Sequence, residues 1–331
     1  MKKLLVTGAS GFIGSFIVEE ALNRGFETWA AVRKGSSKRY LQDGRIRFVE
    51  LDFGDPDGLR DRLSGIGFDY VVHAAGATKC LHADDFFRVN TQGTVNLASA
   101  LMDVCPRLER FVFISSLSVC GPVRETAPYT DITAADTPRP DTAYGLSKLE
   151  AERALGALEG FPFIVLRPTG VYGPREKDYF MMAKSIRRHV DFAAGLRPQD
   201  LTFIYVKDLV EAVFLALDRG NIGSRYLLSD GNVYSSRAFS DLIRRELGNP
   251  WLLRVKAPLW LLRVITALGE AAGRLTGSMT ALNNDKYKIM KQRNWRCDIG
   301  PAAAELGFTP HYGLAEGVHE AIAWYRENGW L

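Results

Sequence analysis

The stretch TGASGFIG, residues 7–14, decides the fold. It follows the apolar run KLLVT at 3–7 and precedes a helical pattern at 12–24. Its three glycines are Gly8, Gly11 and Gly14. A glycine loop between a strand and a helix lets the backbone approach a pyrophosphate, which the amides of the helix N-terminus then bind. The loop therefore predicts a dinucleotide site, with a simple glycine-rich turn as the alternative.

The first half of the chain alternates short β-rich runs with helical patterns. Further strands are expected at 27–32, 47–51, 70–74, 110–115 and 161–166, and helices at 56–64, 85–104 and 141–159. Several of the runs are continuously apolar, as is typical of strands buried on both faces of a parallel sheet. The pattern predicts an α/β fold with a Rossmann-type, doubly wound parallel sheet.

The pattern loosens after residue 170. Helices are expected at 178–189 and 207–218, strands at 202–206 and 224–229, and a mainly helical end. We predict a dinucleotide-binding Rossmann domain over 1–171 and 201–230, and a smaller, mainly helical substrate-binding lobe over 172–200 and 231–331.

The apolar stretch at 257–273 carries Arg263 and Glu270 and is too short and too charged to favour a membrane span. It is interpreted as a buried or amphipathic helix. The alternatives are a pocket wall or a surface that contacts lipid.

Composition excludes several classes of function. The 331 residues include 42 basic and 38 acidic side chains, a net charge of +4 that does not indicate nucleic-acid binding. The four cysteines are scattered, so we expect free thiols in a reducing compartment, the cytoplasm. The first apolar run stops at Thr7-Gly8, too early for a signal peptide, and the histidines lack the spacing of a metal site.

The residues at the end of the second strand indicate whether the chain prefers NAD or NADP. An acidic residue there suits the ribose of NAD, and an arginine suits the 2′-phosphate of NADP. Arg33 and Lys34 occupy this place, so NADP(H) is favoured and NAD(H) remains possible; ordinary solvated charges are the alternative. Asp52, at the end of the third strand, is placed to reach the adenine amino group. In HAAG (73–76), His73 is interpreted as a packed strand residue.

Tyr144 and Lys148 lie four residues apart in YGLSK, just inside a predicted helix. This spacing puts both on one helical face. A neighbouring ammonium lowers a tyrosine pKa, which would make the phenol usable as an acid or base. A solvated surface pair is the alternative.

Together these motifs resemble the extended short-chain dehydrogenase/reductase family, the NAD(P)-dependent epimerase/dehydratase group. The resemblance covers nearly the whole chain and also uses Asp52, Asn90 and Asn96. Its motifs are TGASGFIG (7–14), HAAG (73–76), FISSLSVCG (113–121), YGLSK (144–148), LRPTGVYGP (166–174) and FIYVKDLVEA (203–212).

The resemblance implies roles for single residues. Tyr144 would be the acid/base, Lys148 would lower its pKa and bind the nicotinamide ribose, and Ser116 would hydrogen-bond the substrate oxygen. Asn90 would support Lys148, and the run from Arg167 to Val171 would lie near the nicotinamide. The implied cofactor-binding residues are Gly8, Ser10, Gly11, Phe12, Ile13, Gly14, Arg33, Lys34, Asp52, Phe53, Ala74, Ala75, Gly76, Tyr144, Lys148, Pro168, Thr169, Gly170 and Val171.

Departures from the family pattern narrow the activity. Dehydratases of the family carry Thr-Asp-Glu where this chain has Ser116-Leu117-Ser118, which disfavours dehydration. Enzymes that act on nucleotide sugars often carry an arginine at the position of Leu201, and Asp200 beside it would repel a diphosphate. Both features disfavour a nucleotide-sugar epimerase.

The C-terminal segments resemble the sterol-dehydrogenase and dihydroflavonol-reductase-like branch, whose members act on hydrophobic substrates. These segments are 255–277, 282–290, 296–310 and 314–329. The expected pocket walls, with plain core as the alternative, are Phe180, Met181, Tyr205, Trp260 and Leu261.

The sequence thus predicts an NADP(H)-dependent oxidoreductase that interconverts a carbonyl and a secondary alcohol on a small, hydrophobic substrate. The alternatives are an NAD-dependent epimerase acting on a nucleotide sugar and a non-catalytic dinucleotide-binding scaffold or sensor. Resemblance further implies a homodimer formed through the helices at 85–104 and 141–159.

Overall fold

The computed structural model describes residues 1–276 and 284–331. Its strands are β1 (Lys3–Thr7), β2 (Glu27–Val32), β3 (Arg47–Glu50), β4 (Tyr70–His73), β5 (Arg110–Ile114), β6 (Phe163–Pro168), β7 (Gly170–Tyr172), β8 (Val190–Ala194), β9 (Asp200–Leu201), β10 (Phe203–Tyr205), β11 (Arg225–Leu228), β12 (Tyr234–Ser235) and β13 (Leu253–Ala257). Its α-helices are α1 (Phe12–Asn23), α2 (Pro56–Leu63), α3 (Ala83–Phe86), α4 (Gly93–Val104), α5 (Ala143–Ala157), α6 (Lys177–Arg187), α7 (Val206–Arg219), α8 (Ala238–Glu246), α9 (Leu259–Thr276), α10 (Asn284–Lys291) and α11 (Leu314–Glu327).

A seven-stranded sheet forms the centre of the molecule. Its strand order is β11-β6-β5-β4-β1-β2-β3, and every neighbouring pair is parallel. Strand order reverses between β1 and β4, and ligands bind at the carboxyl ends of strands at such a point. The predicted Rossmann-type, doubly wound sheet is confirmed.

Both faces of the sheet are covered by apolar side chains. Along β1, Leu4 and Val6 join a cluster with Ile17 of α1 and Val213 of α7, whereas Leu5 joins the cluster on the opposite face with Leu97 of α4. Successive side chains of a strand point to opposite faces, so a continuous apolar run fills both layers at once.

The predicted helix at 85–104 is a composite. α3 is followed by a wider, π-helical turn at Phe87–Gln92, and α4 continues directly from it. π-turns within helices are frequent at functional sites because they redirect single side chains. Asn90 lies in this turn and is buried.

The remaining segments form a smaller cluster beside the sheet. Three short strand pairs lie there: β7 with β10, β8 with β13, and β9 with β12. The strand expected at 202–206 forms as β10 but pairs with β7, outside the main sheet. Helices α6, α8 and α11 pack around buried aromatic rings, including Tyr172, Phe239 and Tyr325.

The apolar stretch at 257–273 forms most of α9. Of the quoted C-terminal segments, Gly277 and residues 282–283 lie outside the described residues. Among the helices that are described, none has the length and apolarity to cross a membrane. All four cysteines are free thiols, three of them buried.

Candidate active site

The glycine loop approaches the segment after β4, and folds on itself, so closely that side chains are excluded at Gly8 and Gly14. Gly8 has a φ of +66°, and a Cβ there would lie 2.7 Å from the Ala75 nitrogen. A Cβ on Gly14 would lie 2.2 Å from the Gly8 carbonyl oxygen. These contacts hold the N-terminus of α1 at the carboxyl edge of the sheet.

The N-terminus of α1 suits an anion. Gly11 precedes it in extended conformation, no side chain among the described residues caps it, and its first turn holds no acidic residue. Unsatisfied amides and the helix dipole together attract phosphate. The loop therefore fits the pyrophosphate of a dinucleotide.

A cleft of about 660 Å³ extends from this loop to Tyr144. It brings together most of the residues predicted for the site. The predicted residues on its walls are Gly8, Gly11, Phe12, Ile13, Gly14, Ala74, Gly76, Ser116, Tyr144, Lys148, Pro168, Thr169, Gly170 and Val171.

Helix α5 carries Tyr144 in its first turn. The Thr142 hydroxyl caps the helix by accepting a hydrogen bond from the Gly145 nitrogen at 3.0 Å. The carboxylate of Asp285, from α10, accepts hydrogen bonds from the Ala143 and Tyr144 nitrogens at 3.2 and 3.1 Å. Two caps, one local and one from a distant helix, thus fix the backbone that carries the phenol.

Lys148 lies one turn further along α5 and is 4% exposed. Its Nζ donates to the Ile114 carbonyl at 2.9 Å and lies 4.5 Å from the centre of the Phe113 ring. Burial lowers the pKa of Lys148 to about 8, against an opposing effect of the Glu152 carboxylate.

The pKa of Tyr144 is shifted in the direction opposite to the one predicted from the sequence. The sequence suggested that Lys148 lowers the pKa of the phenol. Instead, burial raises the pKa of Tyr144 to about 12, and the smaller opposing effect comes from the Ser116 hydroxyl. Burial disfavours phenolate more than the nearby groups favour it, so Tyr144 is a protonated phenol near neutral pH and suits proton donation.

Ser116 follows β5 and faces the same cleft. Its Oγ accepts a hydrogen bond from the Ser118 nitrogen at 3.1 Å and donates to the Ser118 hydroxyl at 3.1 Å. The serine is therefore held in place by its own turn.

Asn90 lies behind the cleft rather than on its wall. Its Nδ2 donates to the Ala77 carbonyl and to the Ser147 hydroxyl, both at 3.0 Å, and its Oδ1 accepts from the Ala77 nitrogen at 2.7 Å. The side chain thus ties the loop after β4 to α5, next to Lys148.

A buried ion pair joins α5 to β6. Glu152, one turn after Lys148, accepts hydrogen bonds from Arg167 at 3.1 and 2.6 Å and from the Ser115 hydroxyl at 2.5 Å. Arg167 was expected near the nicotinamide together with Pro168 through Val171. Its guanidinium turns away from the cleft because its buried position requires the Glu152 carboxylate.

The residues on the wall of this cleft differ from those expected, although Trp260 lines a second cavity. Phe180, Met181, Tyr205, Trp260 and Leu261 do not line the cleft, whereas Tyr179 and Met182 do. Tyr205 is fully buried and bonds Glu320, and Met181, Trp260 and Leu261 are exposed. Residues 179 and 182 share a face of α6 that residues 180 and 181 do not.

Two cations and a carboxylate at the rim were also missed. Asp178 pairs with Lys79 at 2.6 Å and with Lys286 at 3.5 Å. Lys286 comes from α10, more than a hundred residues away in sequence, so no local pattern could have found this contact.

Six of the predicted cofactor-binding residues do not line this cleft. They are Ser10, Arg33, Lys34, Asp52, Phe53 and Ala75. Arg33 and Lys34 are exposed directly after β2, beside the end of β3, where Asp52 lies. The Asp52 carboxylate accepts a hydrogen bond from the Gly54 nitrogen at 2.8 Å.

His73 is a structural residue, as predicted. Its ring nitrogens bond the hydroxyls of Thr7 and Thr94 at 2.7 and 3.0 Å, and burial lowers its pKa to about 3. The described residues contain no group of three or more His, Cys, Asp or Glu side chains suited to a metal ion.

Comparisons with known proteins bear on this geometry. The model of the family described as "NAD dependent epimerase/dehydratase family" matches residues 4–228. The chain is 28% identical to a UDP-glucose 4-epimerase of Vibrio cholerae, over 96% of this chain and 94% of that protein. It is 26% identical to a ceramide reductase of Caulobacter vibrioides, over 98% and 95%. The solved structure of MoeE5 with UDP-glucuronic acid and NAD is 27% identical, with a TM-score of 0.76 over 98% of this chain and 99% of that one.

Replacing Glu152 with Gln should destabilise the protein by about 3–5 kcal/mol, because the Arg167 guanidinium stays buried without its carboxylate. The free energy of unfolding in urea measures this. Glu150→Gln, on the exposed side of the same helix, is the matched control and should change it by less than about 0.5 kcal/mol. Equal effects of the two substitutions would contradict the assigned role of the ion pair.

Stability should depend on pH through Lys148. Its pKa is about 8 in the folded chain and 10.5 when unperturbed, so the unfolded chain binds more protons between these values. The free energy of unfolding of the wild type should therefore rise through this window, on the order of 3 kcal/mol, relative to Lys148→Met. Urea denaturation below and above the window tests this; parallel pH profiles of the two proteins would refute it.

Proposed function

Because the chain belongs to the NAD-dependent epimerase/dehydratase family of extended short-chain dehydrogenases/reductases, we propose that it is an NADP(H)-dependent oxidoreductase interconverting a carbonyl and a secondary alcohol. The observation that carries the proposal is that Ser116, Tyr144 and Lys148 share one cleft with the open N-terminus of α1.

The chain's own residues account for the proton chemistry. The nicotinamide, when bound, supplies or accepts the hydride. In the reducing direction, Tyr144 donates its proton to the carbonyl oxygen, which suits a phenol that burial keeps protonated. With substrate bound, the Ser116 hydroxyl turns its proton from Ser118 to the same oxygen and stabilises the charge that develops there.

Once Tyr144 has donated its proton, the Lys148 ammonium returns a proton to the phenolate. Because its pKa lies near 8, its ammonium can exchange protons near neutral pH. Asn90 and Glu152 position α5 from two sides and so keep the phenol and the ammonium on the cleft.

The substrate is proposed to be small and hydrophobic. Tyr179 and Met182 add apolar surface to the wall of the cleft that Tyr144 also lines. One relative of similar length is a ceramide reductase, whose name implies action on a lipid.

An NAD-dependent epimerase acting on a nucleotide sugar is the second candidate. It is favoured by the likeness to a UDP-glucose 4-epimerase and to a structure that holds UDP-glucuronic acid and NAD. Against it, Leu201 packs into an apolar cluster at the position where such enzymes often carry arginine, and Asp200 faces Arg296 at 3.5 Å. A non-catalytic scaffold is not retained, because the Ser-Tyr-Lys set is intact and the two relatives named above are enzymes.

We further propose the domain assignment predicted from the sequence. Residues 1–171 and 201–230 would bind the dinucleotide, and residues 172–200 and 231–331 would bind the substrate. A homodimer through the helical segments 85–104 and 141–159 is proposed because Val89, Met102 and Leu146 leave apolar side chains exposed there. A cytoplasmic location also stays a prediction.

Tyr144→Phe should lower kcat by about 10²–10⁴-fold, because the proton donor is lost, and leave NADP⁺ affinity nearly unchanged. Turnover and cofactor fluorescence titration measure the two effects. Tyr129→Phe is the matched control, since its hydroxyl bonds the Pro198 carbonyl outside the cleft. Full activity of Tyr144→Phe would overturn the mechanism.

Arg33→Ala should raise the KM for NADP⁺ by about tenfold or more while that for NAD⁺ stays constant, because a charge-assisted hydrogen bond to the 2′-phosphate is lost. Steady-state kinetics with both cofactors measure this. Arg107→Ala, an exposed arginine before β5 at the opposite end of the strands, should change neither value. An equal rise in KM for NADP⁺ and NAD⁺ would show that Arg33 does not bind the 2′-phosphate.

A further inference from the structure

Helix α9 presents an apolar face to the solvent. Leu262 and Thr266 are buried, and the opposite side exposes Trp260, Leu261, Val264, Ile265 and Leu268. Trp260 is 69% and Leu268 66% exposed. Surface helices normally turn polar residues outward, yet Arg263 is the only charged residue over 259–268. Contiguous exposed apolar surface of this kind marks a site of interaction with another molecule.

The exposed surface extends onto the neighbouring segments. Leu196, which follows β8, is 68% exposed and lines a cavity of about 640 Å³ together with Trp260. Phe192 and Leu253 are also exposed on the β8–β13 pair, which leads directly into α9. The α9 face is defined here by Leu196, Trp260, Leu261, Val264, Ile265 and Leu268.

Cations border the α9 face. Four basic side chains, those of Arg197, Lys288, Lys291 and Arg293, line the cavity beside Trp260, against two acidic ones, Glu125 and Asp141. Glu125 already accepts hydrogen bonds from the backbone nitrogens of residues 293 and 294. Among the side chains described over 1–269 and 284–331, none forms an ion pair with Arg197, Arg263 or Lys291. The apolar face is thus flanked by uncompensated positive charge.

We propose that the α9 face docks onto a lipid bilayer that contains anionic phospholipids. The helix would lie in the plane of the interface, with its exposed apolar side chains among the acyl chains and Arg197, Arg263 and Lys291 near the headgroup phosphates. Tryptophan prefers this depth, since its ring is apolar and its N–H is polar. Leu262 and Thr266 keep the helix attached to the protein by its other side.

The bordering charge distinguishes a membrane from a second copy of the chain. A two-fold contact places the same surface against itself. The cations of one copy would then lie against those of the other, which costs binding energy. Anionic headgroups complement both the apolar centre and its basic border, so a bilayer is the occupant that the charges favour.

The proposal does not depend on the substrate of Tyr144. Vesicle binding is measured without cofactor or substrate, so its failure would leave the proposed oxidoreductase untouched, and the reverse also holds. Helix α10 relates the two regions in space, because Lys286 lines the Tyr144 cleft and Lys288 lines the basic cavity.

The test is co-sedimentation of the full chain with vesicles of phosphatidylcholine, with and without phosphatidylglycerol. We expect binding to the anionic vesicles that weakens as salt rises, because screening removes the electrostatic part. A Trp260→Glu/Leu268→Glu double variant should lower the partition coefficient at least about tenfold. Ile222→Glu, which replaces another largely exposed apolar residue far from α9 in sequence, should leave it unchanged.

A second pair of substitutions probes the charges without altering the apolar face. Arg263→Glu with Lys291→Glu should abolish the preference for anionic vesicles. Circular dichroism checks that each variant is folded. Failure of the wild type to bind anionic vesicles, or equal binding by the folded Trp260→Glu/Leu268→Glu variant, would overturn the proposal. The proposal would also be overturned if light scattering showed that the wild type is a dimer that does not bind vesicles and that the Trp260→Glu/Leu268→Glu variant is a monomer.

Discussion

The backbone of the first loop passes so close to its neighbours at Gly8 and Gly14 that no side chain fits at either position. That contact fixes the N-terminus of α1 at the carboxyl edge of the sheet, where the ends of β4, β5 and β6 also meet because all these strands are parallel. The cleft, its anion-binding end and the position of Ser116 after β5 all follow from this arrangement. The site is therefore a consequence of the sheet's topology.

The other end of the cleft depends on how α5 is held. A carboxylate from α10 caps its first turn, Asn90 bonds its middle, and Glu152 anchors it to β6 through Arg167. Buried ion pairs contribute little net stability when intact but are costly to break, which makes them suited to fixing a position. This packing buries Lys148 and partly buries Tyr144, and loss of solvent sets the proton affinities of both groups.

Much of this could be read from local patterns. Glycine spacing, apolar runs and the Tyr-Lys spacing predicted the sheet and most of the cleft, since each reflects residues close in sequence. The failures involve distance or burial. Spacing could not reveal that burial outweighs the lysine in setting the Tyr144 pKa, or that Arg167 has a buried partner. The wall of α6 was misassigned because one residue along a helix turns a side chain by about 100°, from the face of Met182 to that of Met181. The contacts of Asp285 and Lys286 join segments that no local pattern connects.

Incubating the purified protein with NADP⁺ or NAD⁺ and a panel of hydrophobic secondary alcohols and nucleotide sugars, while recording the absorbance of reduced cofactor, tests the central claim most directly. The account predicts steady accumulation of NADPH with a hydrophobic alcohol. No net reduction of either cofactor, together with interconversion of a nucleotide sugar on product analysis, would contradict it and identify the protein as an epimerase.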